Sequence, residues 1–403
     1  MAHSRQVLIF NTGSSSLKFA VVDPGSGEAS LSGIADSLGG PEPALEWKIR
    51  DNEEQIQLST GANHGDAIRV LVEEILAGLP ELHGQLVAVG HRVVHGGEEF
   101  ADSALIDSQV IEAIEKCAHL APLHNPAALA GIRAAKQAFP ELPQVAVFDT
   151  AFHQTLPQHA FLYALPYQLY REHKIRRYGM HGTSHKFVSE RAAALLQRPL
   201  SKTNTITAHL GNGASITAVK GGVSVDTSMG MTPLEGLVMG SRCGDIDPGV
   251  LVHLGDALEY SPEALNQVLN RESGLLGISE LSNDCRELEQ AATDGHRGAL
   301  LALEIFCYRL AKYVAAYTLP LRRVHGLVFT GGIGENSSWI RARTMHWLGA
   351  ISYELDSQQN EQMRYGAEGL ISRAGTPPAL VIPTNEEWVI ARDAARLVEG
   401  RGT

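Results

Sequence analysis

Val7-Leu8-Ile9-Phe10-Asn11-Thr12-Gly13-Ser14-Ser15-Ser16-Leu17-Lys18-Phe19-Ala20-Val21-Val22 decides how the rest of the chain is read. Two apolar runs flank a turn of small and hydroxyl residues that carries one lysine, which predicts strand, tight turn, strand. Such a turn can bring backbone N–H groups close to an anion. It lacks GxxxxGK[ST] spacing and is followed by a strand rather than a helix, so it is not a Walker P-loop. A second unit of the same kind appears later. Ile206-Thr207-Ala208-His209-Leu210 leads into Gly211-Asn212-Gly213-Ala214-Ser215, and then into Ile216-Thr217-Ala218-Val219. Either unit alone reads first as an ordinary surface hairpin. Two of them, one in each half, predict two related lobes facing a shared phosphate chain.

The bulk composition agrees. A chain of 403 residues is too long for one core, and two domains are expected. The net charge of −12 argues against nucleic acid or an anionic membrane as the main partner, while leaving room for a local basic cluster. Cys117, Cys243, Cys285 and Cys307 are widely spaced with no CxxC, as expected of free thiols in a reducing compartment. No signal-peptide pattern precedes Asn11, and a cytoplasmic protein is expected. The most apolar long stretch, Leu300–Leu319, contains Glu304, Arg309 and Lys312 and predicts a buried helix rather than a membrane span.

Strands alternate with helices along both halves, which means α/β layers. Leu86–Val89 runs into Gly90-His91-Arg92, and Val145–Phe148 ends at Asp149. Ile68, Leu71, Val72, Ile75 and Leu76 repeat at helical spacing, with Asp66 as the expected N-cap and Pro80 just past the end. Val110, Ile111, Ile114, Cys117 and Ala118 form a second helical face. Leu327–Phe329 enters Thr330-Gly331-Gly332-Ile333-Gly334-Glu335-Asn336, with a helix expected from near Ser337. Leu380–Ile382 ends at Pro383-Thr384-Asn385-Glu386-Glu387. Polar and glycine clusters thus sit at strand ends, where α/β sheets place ligands.

Several of these loops carry chemistry. Arg92 and Arg242 lie on glycine-rich segments, well placed to clamp a carboxylate or phosphate or, alternatively, to form surface ion pairs. His124 and His181 occupy turn-like contexts. Asp149 ends a strand, where it is suited to cap the next segment or to face a metal or nucleophile. In Gly211-Asn212-Gly213 a positive φ is easily reached. His181 and His185 are four apart, but Gly182 and Thr183 between them make a regular helix less expected, and a zinc site is not expected.

Taken together these blocks closely resemble the acetate kinase (acetokinase) family. The resemblance is carried by Asn11–Lys18, His91-Arg92-Val93-Val94-His95-Gly96-Gly97, Ala121–Pro126 and Phe148–His153. It continues through Tyr178–His185, His209–Ser215, Asp226–Gly236, Phe329–Asn336 and Pro383–Glu387, in order from Val7 to Asp393. It implies an α/β fold of two domains with similar ribonuclease-H-like, actin-like topology, as in sugar kinases, Hsp70 and actin, with a nucleotide cleft between them. The boundaries expected are 1–150 plus 386–403 for the first domain, whose C-terminal helix returns to it, and 151–385 for the second.

The resemblance also implies roles. Asn11 and Glu386 help hold Mg²⁺ (or Mn²⁺). Lys18, His209, Leu210, Gly211, Asn212 and Gly213 approach the phosphates of ATP or ADP. Asp284, Cys285 and Arg286 border the nucleoside, as do Gly332, Ile333, Gly334, Glu335 and Asn336. Arg92 and Arg242 hold the acid and the transferring phosphoryl group, His181 and His124 donate to that group, and Asp149 is catalytic. Val94, Leu123, Met180 and Pro233 resemble the acyl pocket. The implied reaction is reversible transfer of the ATP γ-phosphoryl group to acetate, by a homodimer.

Acetate is already ionised at pH 7, so no general base is needed, and Asp149 is expected to orient Mg²⁺ or arginine. Met180 stands where the family usually has Phe, so longer acids such as propionate are expected to be tolerated better than usual. Cys243 replaces the usual Ser. The alternatives are a propionate kinase of the same superfamily and, more distantly, an actin-like or Hsp70-like ATPase.

Overall fold

The computed structural model describes residues 5–50, 52–121 and 124–400. The chain divides into two compact units, one running to Gln154 and resuming at Asn385, the other spanning Thr155–Thr384.

The first unit is built on an eight-stranded sheet. Its strands are β1 (Gln6–Thr12), β2 (Leu17–Val22), β3 (Ala29–Asp36), β4 (Ala44–Ile49), β5 (Asn52–Gln57), β6 (Leu86–Val93), β7 (Ala104–Leu105) and β8 (Gln144–Phe148). Their spatial order is β5-β4-β3-β2-β1-β6-β8-β7. The hairpin at Asn11–Lys18 forms as expected, with Asn11 opposite Lys18 and Thr12 opposite Leu17. β6 joins β1 in parallel and β8 joins β6 in parallel.

β1 is apolar at every position from Val7 to Phe10 because it is buried on both faces. Leu8 and Phe10 point into one core with Phe19, Leu31, Ile68 and Leu71. Val7 and Ile9 point into another with Val145, Val147, Ile390 and Ala394. The second core is closed by the helix Glu386–Glu399, which packs on β1, β6 and β8. Gly90 of β6 permits this approach, since a Cβ there would lie 2.5 Å from Ile390 Cγ2.

The helix carrying Ile68 starts earlier than expected. Asn63 is its N-cap and forms a reciprocal capping box with Asp66, which therefore sits at the third helical position. The helix then loosens into a π-type turn over Leu71–Leu76, and Pro80, instead of lying beyond a finished helix, opens a short one over Pro80–Gly84. The next predicted helix spans Ser108–Lys116, and Cys117 only caps it.

The second unit repeats the topology. β9 (Asn204–Leu210), β10 (Ala214–Lys220) and β11 (Val223–Thr227) form an antiparallel meander. β12 (Gly326–Thr330) adds to β9 in parallel and β14 (Ala379–Val381) adds to β12 in parallel. A two-residue edge strand, β13 (Gly369–Leu370), runs antiparallel to β14, as β7 does to β8. The same pattern of three antiparallel strands, two parallel additions and a short edge strand thus occurs in both units.

Arg297–Leu321 is one long helix, but only one face is buried. Ala302, Leu303, Phe306, Leu310 and Val314 face the core, whereas Leu300, Leu301 and Tyr308 are exposed and Leu319 is 84% exposed. No helix among the described residues is long and apolar enough to cross a membrane.

Candidate active site

The residues singled out from sequence fall into one group in each unit. In the first unit, Arg92 near the end of β6 donates from Nε to Asp149 Oδ1 (3.1 Å) and from Nη2 to Asp149 Oδ2 (2.5 Å). Its Nη1 donates to Asn11 Oδ1 (3.2 Å), so one guanidinium ties together the ends of β1, β6 and β8. The Asp149 side chain is 1% exposed and that of Arg92 19%. This is a buried ion pair rather than a surface one, and Asp149 neither caps the next segment nor stands free. Burial pushes the Asp149 carboxyl upward, Arg92 opposes that and Glu386 adds to it. Burial works against the Arg92 charge as well, but Asp149 and Glu386 outweigh it and hold Arg92 above an ordinary arginine.

Strand alternation explains the neighbouring histidine. His91 points to the opposite face, against Phe10, with Nε2 bonded to Gln144 Oε1 (2.7 Å). Burial drives it down to about 4 despite that bond. Lys18 is exposed opposite Asn11. His124 is the N-cap residue of the helix Asn125–Ala138, close enough to Asp149 to favour its charge. Val94 is buried just after β6. Leu123 lies outside the described residues.

Asn11 and Glu386 offer only oxygen donors, and Glu386 stands at the first position of its helix, close to the Arg92–Asp149 pair. Two protein oxygens suit Mg²⁺, which keeps waters and binds phosphate oxygens, better than a metal needing an all-protein cage. Among the described residues no cluster of three or more His, Cys, Asp or Glu could hold a metal.

In the second unit, His181 takes a left-handed conformation (φ 59°) and is the N-cap residue of a regular helix, Gly182–Leu195. Gly182 and Thr183 do not interrupt that helix, because they occupy its first turn, where their N–H groups need no intrahelical partner. The His181 and His209 rings stack at 4.4 Å and 28°. Neither Gly211 nor Gly213 takes a positive φ, contrary to expectation. Gly213 lies beside the Arg242 and His181 side chains, and a Cβ there would make ordinary contacts, 3.5 Å from Arg242 Nη1 and 3.7 Å from His181 Nε2.

Arg242 Nη1 donates to the Pro233 carbonyl (2.9 Å), and no carboxylate pairs with it among the described residues. Burial, and then Arg271, hold it below the usual arginine range. A half-buried, unneutralised guanidinium is a ready anion receptor. Met180 is 2% exposed, and Pro233 is half-buried in the same unit. Cys243 next to Arg242 is pushed up by burial, and its thiol donates to the Gly244 carbonyl.

A pocket of about 570 Å³ opens in the second unit, lined by Gly211, Asn212, Asp284, Cys285, Arg286, Gly332, Ile333 and Asn336. It is also lined by Asn283, Glu289, Ser337, Arg364 and Tyr365, which the sequence reading missed. Asp284 is the N-cap of the helix Cys285–Thr293 and pairs with the exposed Arg286 (2.6 Å). Cys285 is buried and pushed up to about 12 by that burial.

Gly334 and Glu335 do other work. Gly334 packs on the β9 and β12 backbones. The Glu335 carboxylate accepts from the N–H groups of Gly331 (2.8 Å) and Thr384 (3.0 Å). The helix expected from near Ser337 forms as Ser338–Leu348 with Ser337 as its N-cap, and a short extra helix, Gly331–Asn336, precedes it. Gly331 (φ 75°) makes this possible, since a Cβ would lie 2.8–3.0 Å from the Leu210 backbone. Leu210 is fully buried beneath it.

The pocket wall is pinned by Arg341, which is fully buried. It donates to the carbonyls of Gly334, Glu335, Asn360 and Met363 and to Asn360 Oδ1, at 2.7–2.9 Å. Burial brings it down to about 10.

The repeated α/β sheet topology, together with the family and relatives this chain matches, makes it an α/β phosphotransferase. The chain belongs to the acetokinase family, whose model matches residues 6–392. It is 59% identical to the acetate kinase of Shewanella sp. (strain W3-18-1) over 98% of this chain and 99% of that one. It is 58% identical to the Shewanella oneidensis acetate kinase with the same coverage. Among solved structures, a propionate kinase from Francisella tularensis matches with TM-score 0.92 and 45% identity, covering 97% of this chain and 99% of that one. The Porphyromonas gingivalis acetate kinase matches with TM-score 0.91 and 42% identity, covering 98% and 100%.

Proposed function

We propose that the chain transfers the γ-phosphoryl group of ATP to acetate, reversibly and in line, giving acetyl phosphate and ADP. The observation that carries this is the state of Asp149. In kinases that phosphorylate an alcohol, an aspartate must be free to take the hydroxyl proton. Here both Asp149 oxygens accept from Arg92, so the carboxylate orients a cation and is not available as a base. That suits an acceptor with no proton to lose.

The remaining problem is an anion attacking a polyanion, and cations answer it. Arg92, aimed by Asp149 and Asn11, and Arg242, aimed by the Pro233 carbonyl, hold the carboxylate and the transferring phosphoryl group. Lys18, His209 and the Gly211–Gly213 turn meet the remaining phosphates. His181 donates to the phosphoryl oxygens as charge shifts. Mg²⁺, held by Asn11 and Glu386, supplies further neutralisation of the phosphates when bound. Asp284 and the pocket around Ile333 and Tyr365 take the nucleoside.

Acyl hydroxamate formation from hydroxylamine, ATP, Mg²⁺ and each of acetate, propionate and butyrate tests this. Strong product with acetate is expected, and none with any acid would refute it. Propionate is a second substrate in this reading, because Met180 is an unbranched, adaptable side chain at the acyl position. The same proposal includes a homodimer in the reducing cytoplasm. Val252 and Leu258 on the helix Pro248–Leu258, and Leu300, Leu301 and Leu319 on the helix Arg297–Leu321, are exposed apolar side chains available to a second copy, and sedimentation would show the dimer.

A further inference from the structure

We infer that two buried hydroxyl relays fix His181 and His209 as neutral imidazoles with Nδ1 accepting and Nε2–H donating. This rests on the reading that both rings meet the phosphoryl groups, and adds which residues set their protons.

The His209 relay has a readable direction. Thr384 Oγ1 donates to Ser184 Oγ (2.8 Å). With its oxygen accepting that proton, Ser184 gives its own to His209 Nδ1, 2.8 Å away. A neutral imidazole has one N–H, so an accepting Nδ1 leaves the proton on Nε2.

The His181 relay is longer. Ser215 Oγ lies 2.9 Å from His181 Nδ1 and 2.7 Å from His185 Nε2, and His185 Nδ1 lies 2.8 Å from Thr207 Oγ1. Ser215, His185 and Thr207 are fully buried. One serine proton lies between two ring nitrogens, so the line runs one way or the other. Run outward from His181, it ends with the Thr207 hydroxyl proton on the Thr217 carbonyl at 3.5 Å, too long to be worth much. Run inward, Thr207 donates to His185 Nδ1, His185 Nε2–H to Ser215, and Ser215 to His181 Nδ1, every bond being 2.9 Å or shorter. The inward direction is the one the distances favour, and it again leaves the proton on Nε2.

The surroundings agree. The two rings stack at 4.4 Å, and Arg242 flanks the same Gly213 face as His181 Nε2, so an added imidazolium charge is disfavoured. Ser184, Ser215, His185 and Thr207 are then positioning residues. They present two N–H donors that need no proton uptake, and a reversed relay would offer the anion a lone pair.

The test uses the full chain labelled with ¹⁵N in the histidine rings, with His181→Gln and His209→Gln to assign the signals. At neutral pH, Nδ1 of both rings is expected in the unprotonated range and Nε2 in the protonated range. Ser215→Ala should lower kcat about tenfold with little change in KM. Ser215→Thr should restore it, and Ser215→Ala should add nothing to His181→Gln. Ser184→Ala should release the His209 tautomer in the same way. A protonated Nδ1 on His181 in the parent protein, or parent-like kcat and ring signals in Ser215→Ala, would overturn the proposal. Parent-like turnover in His181→Gln would instead remove the donor role assigned above, while the ring spectrum still decides the tautomer.

Discussion

Replacing Asp149 by Asn probes the arginine clamp most directly. An asparagine keeps one oxygen for Arg92 and turns an NH₂ toward the other guanidinium N–H, so one charge-assisted bond becomes a donor–donor clash. The site is nearly closed to water, at 1% and 19% side-chain exposure. Breaking such a pair from one side costs about 3–5 kcal/mol. For a unit of this size that lowers its melting temperature by roughly 6–20 °C. A misaligned Arg92 should also cost turnover about 10²–10³-fold, as for loss of one preorganised donor. The companion is the double variant Arg92→Leu/Asp149→Leu. Removing both charges leaves no buried charge unpaired and costs only the Asn11 hydrogen bond, so it should melt within about 1 kcal/mol of the parent while remaining inactive. Thermal unfolding by circular dichroism and the hydroxamate assay read the two effects separately. Asp149→Asn with parent-like melting and turnover would refute the clamp. Parent-like melting with lost turnover would mean that Asp149 acts on substrate directly.

Arg242→Ala should lower kcat about 10²–10³-fold while ADP binding, followed by calorimetry, stays near the parent value, because Arg242 does not line the pocket proposed for the nucleoside. Met180→Phe should narrow the acyl site, cutting kcat/KM for propionate more than for acetate; in the parent, a propionate value below one-hundredth of the acetate value would exclude the relaxed specificity expected from Met180. His91 makes the fold acid-sensitive: it is held neutral to about pH 4 when folded and takes a proton near pH 6.5 when unfolded, so its contribution is full above pH 6.5 and is lost as pH falls toward 4. The loss reaches about 3 kcal/mol, and His91→Gln should flatten stability measured by urea titration across that window. Gly331→Ala should destabilise the second unit by about 1–3 kcal/mol, because a left-handed residue would press on the Leu210 backbone.

Much of this molecule could be read from its residues because the signals are local. The hairpin declares itself through apolar runs around a small turn, and its repeat at His209–Ser215 fixes the second sheet. The nine ordered blocks point to the acetokinase family before any coordinate is known. What escaped notice depends on partners far apart in sequence. Arg341 has no motif, because its acceptors are main-chain carbonyls that any residue supplies. Glu289, Arg364 and Tyr365 reach the pocket beside Gly332 and Ile333 from segments without glycine-rich signals. The N-cap of the helix carrying Ile68 is legible in the residues, because Asn63-x-x-Asp66 is a capping box whose cap lies three residues before Asp66. Gly182-Thr183 argues against a helix only because propensity describes helix interiors, whereas these residues sit in a first turn.

The helix Glu386–Glu399 has a consequence for how the protein is made. During synthesis the strands β1, β2, β6 and β8 emerge early, yet Ile390, Ala391 and Ala394, which cover one side of that sheet, follow only after the whole of Thr155–Thr384. The continuous segment Thr155–Thr384 can complete its own core first. Until the helix Glu386–Glu399 arrives, Val7, Ile9, Val22, Val145 and Val147 present an uncovered apolar sheet face on the nascent chain. The first unit to be translated is therefore the last to finish folding, and its long-range closure is the slow step most exposed to aggregation and chaperone capture.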